Sequence, residues 1–245
     1  MTAALAQLVP VAQAGDDFFK DRSGDASCVA DNGTFCASWA ADNIDRYLTP
    51  ALQHIVLVAV SVVLGFAIAL ALALLSHRQR WLIPPLNVST GILYTIPSIA
   101  FFFLLLPITG RGNVTAVIAL TAYTLQILYR NIVAGLANVP GDAQDAGRGM
   151  GMSERQLLWR VELPLALPEI IAGLRIATVS TVALATLAVF AGGDGLGSQL
   201  VGSNINFKTG VIIAGGMAIA IAMAFDIGLV LTQRLLAPWR RVRPA

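Results

Sequence analysis

Charge is what this 245-residue chain has least of. Asp, Glu, Lys and Arg make up 12% of it against 56% apolar residues, about half the charge of a soluble domain. Four stretches, 55–76, 81–110, 112–129 and 176–193, hold no charged side chain. Lysine occurs only at Lys20 and Lys208, each after a Phe, so no Gly-Lys-Ser/Thr phosphate loop can form. Histidine is confined to His54 and His77 and cysteine to Cys28 and Cys36. No clustered metal ligands and no nucleophile with its base therefore fall within the apolar stretches. These scarcities argue against a water-solvated core, a nucleotide site of P-loop type, an intramembrane enzyme and a nucleic-acid surface. What remains is a chain whose solvent is membrane lipid.

The uncharged stretches are membrane-sized. A helix needs roughly 20 mostly apolar residues to cross the hydrocarbon, where it must satisfy its own backbone amides. The pattern predicts an all-α polytopic protein of about five spans, near 51–75, 84–107, 114–135, 169–190 and 210–235. An odd number puts the termini on opposite sides. Orientation follows from Lys and Arg. With the 76–83 loop, the 136–168 loop and the C-terminal tail inside, eleven basic residues lie on or near the cytoplasmic side and five outside. The N-terminus is expected outside and the C-terminus inside, in a cell membrane.

The chain divides accordingly into an external head over 1–49, a transmembrane domain over 50–237 and a basic tail over 238–245. The head is acidic (Asp16, Asp17, Asp21, Asp25, Asp31, Asp42, Asp45). Cys28 and Cys36 have seven residues between them around Asn32-Gly33, a turn signal, and an extracytoplasmic pair so placed is expected to oxidise. Two free, part-buried thiols are the alternative. The first 14 residues are apolar and end in Ala12-Gln13-Ala14, yet no basic residue precedes them and the stretch is short for a signal peptide. They are expected to lie at the membrane surface or against span 1.

Within the spans, Pro97 in Tyr94-Thr95-Ile96-Pro97-Ser98 breaks the hydrogen-bond ladder of span 2. Such a break either lines a translocation path or is a simple kink between packed helices. The 136–168 loop is long enough to have a function. Its Gly141–Trp159 stretch reads as an amphipathic helix, ended by Leu163-Pro164 and Leu167-Pro168. Nearly balanced charge points it at a protein partner rather than the membrane surface. The glycine-rich Gly193-Asp194-Gly195-Leu196-Gly197 has no strand before it and reads as a tight re-entry or gate turn. Asp226 is the one acid well inside a span. It either attracts a cationic solute or pairs with Arg175, from which its depth differs by roughly 6 Å. Of the aromatics in the spans, Tyr94, Phe101, Phe102, Phe103, Tyr123 and Tyr129, none is assigned as a solute ligand.

Asp145-Ala146-Gly147, then Gly151 after three residues, then Val161-Glu162-Leu163-Pro164 after nine more, resembles the cytoplasmic signature of binding-protein-dependent ABC importer permeases. That signature reads E-A-A, three residues, G, nine residues, I-x-L-P. Asp145 stands for its Glu, Gly147 for its second Ala and Val161 for its Ile. The resemblance covers 51–237 and extends to Gly173-Leu174-Arg175-Ile176-Ala177 and to the G-x-G-L-G turn at Gly193, Gly195 and Gly197. It implies a type I importer fold in which Asp145, Ala146, Gly147, Gly151, Val161, Leu163 and Pro164 couple the spans to separate ATPase subunits. Those subunits would carry the ATP and Mg, so this chain needs no cofactor and is no enzyme. It also implies a second permease subunit, either a homologous chain or a second copy, and an external substrate-binding protein. Tyr94-Thr95-Ile96-Pro97-Ser98-Ile99-Ala100, with Leu106-Pro107-Ile108-Thr109-Gly110, resembles the osmoprotectant branch, which serves glycine betaine, choline, carnitine or proline betaine. That branch commonly reads Q-T-I-P-S-L-A here, so Tyr94 replaces a Gln. Another small solute, such as an amino acid, is the alternative on the same machine. A secondary transporter is the alternative of another class, although the chain shows no internal repeat. Tyr94, Thr95, Pro97, Ser98, the three turn glycines and Asp226 are the path or gate candidates.

Overall fold

A computed structural model describes residues 26–201 and 206–238, and every regular element among them is helical. The apolar first 14 residues, the acids Asp16, Asp17, Asp21 and Asp25, and all of the 238–245 tail after Pro238 lie outside the described residues.

Two short helices, α1 (Ala26–Ala30) and α2 (Ala37–Asn43), precede the 34-residue α3 (Asp45–Arg78). Small or short side chains recur on one face of α3, at Ala51, Val58, Ser61, Val62, Gly65, Ala69 and Ala73, and are buried. The other face exposes Leu52, Val56 and Val63 at 61–66%. An apolar outside over a helix of this length fits lipid as the solvent. Lipid is as apolar as leucine, so close approach rather than desolvation drives packing. Gly65 illustrates this: a Cβ there would collide with the Thr124 side chain of α6 (Asn113–Ala137).

Helix α6 is the centre of the bundle. It buries Ala116, Leu120, Tyr123, Leu128, Tyr129 and Ile132 between α3 and α9 (Leu163–Ala185). One apolar core, with Val58, Phe102, Leu120, Val182 and Leu196, fills the end nearer the disulfide head. A second, with Ala69, Leu128, Tyr129, Ile132, Leu158 and Ile170, fills the other end. Helix α11 (Lys208–Leu236) packs on α9 and completes the bundle. By length and apolarity α3, α6, Glu154–Ala191 and α11 can each cross a membrane, and a bent pair makes a fifth crossing if its two halves count as one span.

One expectation is sharpened and one corrected. First, of the two readings of Pro97 the simple kink gives way to the break: α4 (Ile83–Thr95) and α5 (Ser98–Thr109) meet at 97°. With 13 and 12 residues each covers about 20 Å, short of the ~30 Å hydrocarbon. At the bend the Tyr123 hydroxyl donates to the freed Ile96 carbonyl. Second, Leu163-Pro164 does not end a helix. Helix α8 (Glu154–Leu157) continues through a π turn (Leu158–Glu162) into α9, making one rod that reaches Ala191. In the π turn the Leu163 amide reaches back to the Leu158 carbonyl, and this wider turn makes room for the Pro164 ring. The carbonyl of Pro168, further along, accepts from Gln233 of α11 at 3.1 Å. Span 4 therefore begins well before residue 169.

The head is joined by a Cys28–Cys36 disulfide and docks on the start of α11 rather than standing apart. Trp39 meets Phe207 edge-on at 4.6 Å, and Cys36 N–H donates to Thr209 Oγ1 at 3.0 Å. Asn32, at φ +48, spans the junction: its Nδ2 donates to the Asn206 carbonyl and its Oδ1 accepts from Lys208 N–H.

Candidate functional site

Between α6 and the Glu154–Ala191 rod lies α7 (Gly141–Gly149), a short polar helix off the end of the bundle. Its termination explains Gly151. Gly151 N–H donates to the Arg148 carbonyl and Met152 N–H to the Gly147 carbonyl, at 2.9 and 3.2 Å. That pair of bonds is the Schellman closure, which requires a left-handed residue at the turn, and Gly151 sits at φ +78. The next helix starts at once. Ser153 Oγ accepts from the Gln156 amide while Gln156 Oε1 accepts from the Ser153 amide, a reciprocal cap. The helix expected over Gly141–Trp159 is thus two helices hinged at Gly151.

The two helices cross at Gly147. It is buried, and a Cβ there would come within 2.6 Å of Leu157 Cδ1 and 3.6 Å of Val161 Cγ2. The signature residues Gly147 and Val161 therefore meet in space, and Gly151 supplies the reversal that lets them do so. Leu163 packs into the core beneath, with Pro164 beside it. Asp145, Ala146 and Met150 point away from the bundle, Met150 at 70% exposure. Arg148 lies between Asp145 and Glu154, at 3.6 and 3.5 Å; so exposed, these pairs are worth at most about 1 kcal/mol.

A contact that no sequence pattern signals ties this assembly to span 1. Glu162, 5% exposed, lies 2.9 Å from His77 Nε2 at the end of α3. The only hint in the chain is a lone acid amid apolar residues just before span 4. A cavity of about 830 Å³ opens beside this pair, with Arg78, Arg80, Arg148 and Arg155 among its lining.

At the opposite end the rod tightens into a 3₁₀ segment (Thr186–Ala191) and turns back through Gly193-Asp194-Gly195-Leu196-Gly197 into α10 (Gly197–Leu200). The turn is pinned rather than loose. Leu196 is fully buried, Gly112 N–H donates to the Ala191 carbonyl, and Asn113 exchanges two hydrogen bonds with Asp194, at 2.7 and 2.8 Å. Gly193 packs on Ala188 and Ala116, and a Cβ at Gly197 would collide with the Thr186 carbonyl. Asn113 was missed because nothing in sequence links it to a residue 81 positions away.

The remaining candidates are not gathered at one point. Tyr94, Thr95 and Pro97 are exposed at the α4–α5 bend, with Ser98 half-buried. Tyr94 and Phe101 flank Tyr123 edge-on at 6.0 and 5.6 Å. Asp226 of α11 takes a two-pronged pair from Arg175 of α9, Nε–Oδ1 at 2.8 Å and Nη2–Oδ2 at 2.9 Å. The pair is about one-third exposed and opens on a groove of roughly 820 Å³ lined by Ile176, Val179, Ile219 and Met223.

A membrane bundle with one span broken at a proline, a polar helix held off the bundle between two spans, and a pinned turn at the far end defines a transport permease. The chain belongs to the family described as binding-protein-dependent transport system inner membrane components, whose pattern matches residues 61–242. It is 34% identical over 198 residues to the choline transport system permease protein OpuBB of Bacillus subtilis, covering 80% of this chain and 91% of that one. It is 36% identical over 203 residues to the osmoprotectant import permease protein OsmW of Salmonella typhimurium, covering 80% and 94%. Among solved structures it resembles the MetNI methionine ABC transporter in an inward-facing conformation, with TM-score 0.64 and 20% identity over 75% of this chain and 94% of that one. At that identity the likeness concerns the fold.

Proposed function

We propose that this chain is the path-forming permease of an ATP-driven importer for quaternary ammonium osmoprotectants, with α7 as the helix that docks on a separate ATPase subunit. The observation that carries the docking role is the construction of α7. It is closed by the Gly151 turn and braced at Gly147, and it presents Asp145, Ala146 and Met150 outward. The solute class is supported by the choline and osmoprotectant names of the relatives. Arginines at the α7 end and the disulfide at the other end support an external N-terminus.

In this reading two permease subunits enclose the path and an external binding protein delivers solute at the 193–197 turn. ATPases closing on α7 move a rod that runs without interruption to that turn. In the same reading the carbonyls freed at the α4–α5 bend lie at membrane depth and serve a path rather than lipid. The Arg175–Asp226 pair is a structural brace between α9 and α11.

The test is uptake of labelled glycine betaine, choline and carnitine into proteoliposomes holding the permease with its ATPase, and binding protein outside. ATP-dependent uptake of at least one is expected. Uptake indifferent to ATP would overturn the importer reading. ATP-driven uptake of an amino acid instead would retain the machine and discard the solute class.

A further inference from the structure

His54 is one of the two histidines and no part of the family signature, yet it is fully buried between the 3₁₀ segment and the outer turn. Its Nε2 lies 3.1 Å from the Val182 carbonyl. That carbonyl needs a donor because the rod changes winding there. The Thr186 amide, its ordinary α-helical partner, turns instead to the Ala183 carbonyl at the start of the 3₁₀ segment. A carbonyl only accepts, so Nε2 carries the proton and Nδ1 is left as an acceptor. Among the described residues nothing donates to Nδ1.

Directly against Nδ1 stands the turn. A Cβ on Gly195 would lie 3.1 Å from Nδ1, and Gly195 holds φ +126. The Asp194 amide is taken by Asn113 and the Gly193 amide by Ala188. The amides of Gly195 and Leu196 donate to no carbonyl or side chain among the described residues. A buried acceptor without a donor thus lies against the Gly195 backbone, and among the described residues the Gly195 and Leu196 amides have no acceptor.

We infer that His54 is a positioning residue for the outer turn. Through Nε2 it holds the 3₁₀ segment in the arrangement seen here, and through Nδ1 it accepts a Gly195 or Leu196 N–H in a second arrangement adopted when the turn moves. The two arrangements share one imidazole, so His54 links the winding of span 4 to the state of the turn. This rests on the permease reading above.

The test uses permease labelled with ¹⁵N-imidazole histidine and assembled with unlabelled ATPase in nanodiscs. His77→Gln assigns the two side chains. At rest, His54 Nδ1 is expected to resonate as a bare acceptor. In the complex trapped with ATP and vanadate it is expected to move upfield to a hydrogen-bonded position. A proton on Nδ1 at rest overturns the inference, and that can be read in the permease alone. A trapped complex with an unmoved Nδ1 signal overturns it as well, leaving His54 a plain anchor. As an independent arm, His54→Gln keeps a donor toward Val182 but no acceptor at Nδ1. It is expected to fold and to lower solute moved per ATP about fivefold, the factor for one ordinary hydrogen bond. His54→Gln with the wild-type ratio defeats the role. A wild-type assembly that shows no ATP-driven cycle defeats the permease reading instead, so the two failures are distinct.

Discussion

Replacing Gly151 by Ala tests why a glycine stands at the end of α7. No atom lies within 4 Å of a Cβ added there, so the substitution meets no steric contact. Its whole cost is the left-handed backbone at φ +78, about 1–2 kcal/mol for an L-residue. A cost of that size lowers the population of the closed α7–α8 turn roughly 5- to 30-fold relative to its open forms. If docking requires the closed turn, affinity for the ATPase falls by up to that factor. Gly151→Asn, which tolerates this conformation, is expected to recover a large part of it. The assay is titration of nanodisc-held permease with ATPase, followed by uptake. Solute binding from the external side is expected to stay unchanged. Ala binding the ATPase within twofold of Gly, or Asn binding no better than Ala, would refute the conformational argument. A dependence on side-chain size instead would show that Gly151 touches the partner directly.

Three further outcomes are expected. Tyr123→Phe removes the donor to the Ile96 carbonyl at the α4–α5 bend and is expected to destabilise the protein by about 1–2 kcal/mol, measurable as a lowered thermal midpoint in detergent. Cys28→Ala with Cys36→Ala opens a loop whose ends are 8 positions apart. By loop-closure entropy it is expected to cost the head about 2–3 kcal/mol, read as faster proteolysis near α2 while the bundle midpoint is retained. Asp226→Ala strands Arg175 at membrane depth and is expected to lower the midpoint, whereas the double exchange Arg175→Asp with Asp226→Arg recovers most of it; a single variant as stable as the parent would show that the pair is not a brace.

The crossings were legible because the hydrocarbon imposes one demand, some 20 mostly apolar residues, and the chain meets it in blocks. The signature residues were legible by spacing. Their reason was not, because Gly147 and Val161 meet only once the chain has reversed at Gly151. Proline marked the break at 97 but not its size, nor the hydroxyl that Tyr123 contributes to the freed Ile96 carbonyl. At Pro164 the same residue type misled, since the wider π turn just before it takes up the ring and the helix runs on. The Glu162–His77 and Asn113–Asp194 contacts join distant segments and leave no local signature.

The rod from Glu154 to Ala191 is wound in three ways: wider than an α-helix near its α7 end, as an α-helix through the middle and tighter at the end that meets the glycine turn. A residue advances about 100° and 1.5 Å in an α-helix but about 120° and 2.0 Å in a 3₁₀-helix. Each residue exchanged between the two therefore twists the glycine turn by about 20° and shifts it by about 0.5 Å relative to the α7 end. Such a shaft is a screw: a push along its axis at one end can emerge as a rotation at the other, with the pitch written into Thr186–Ala191.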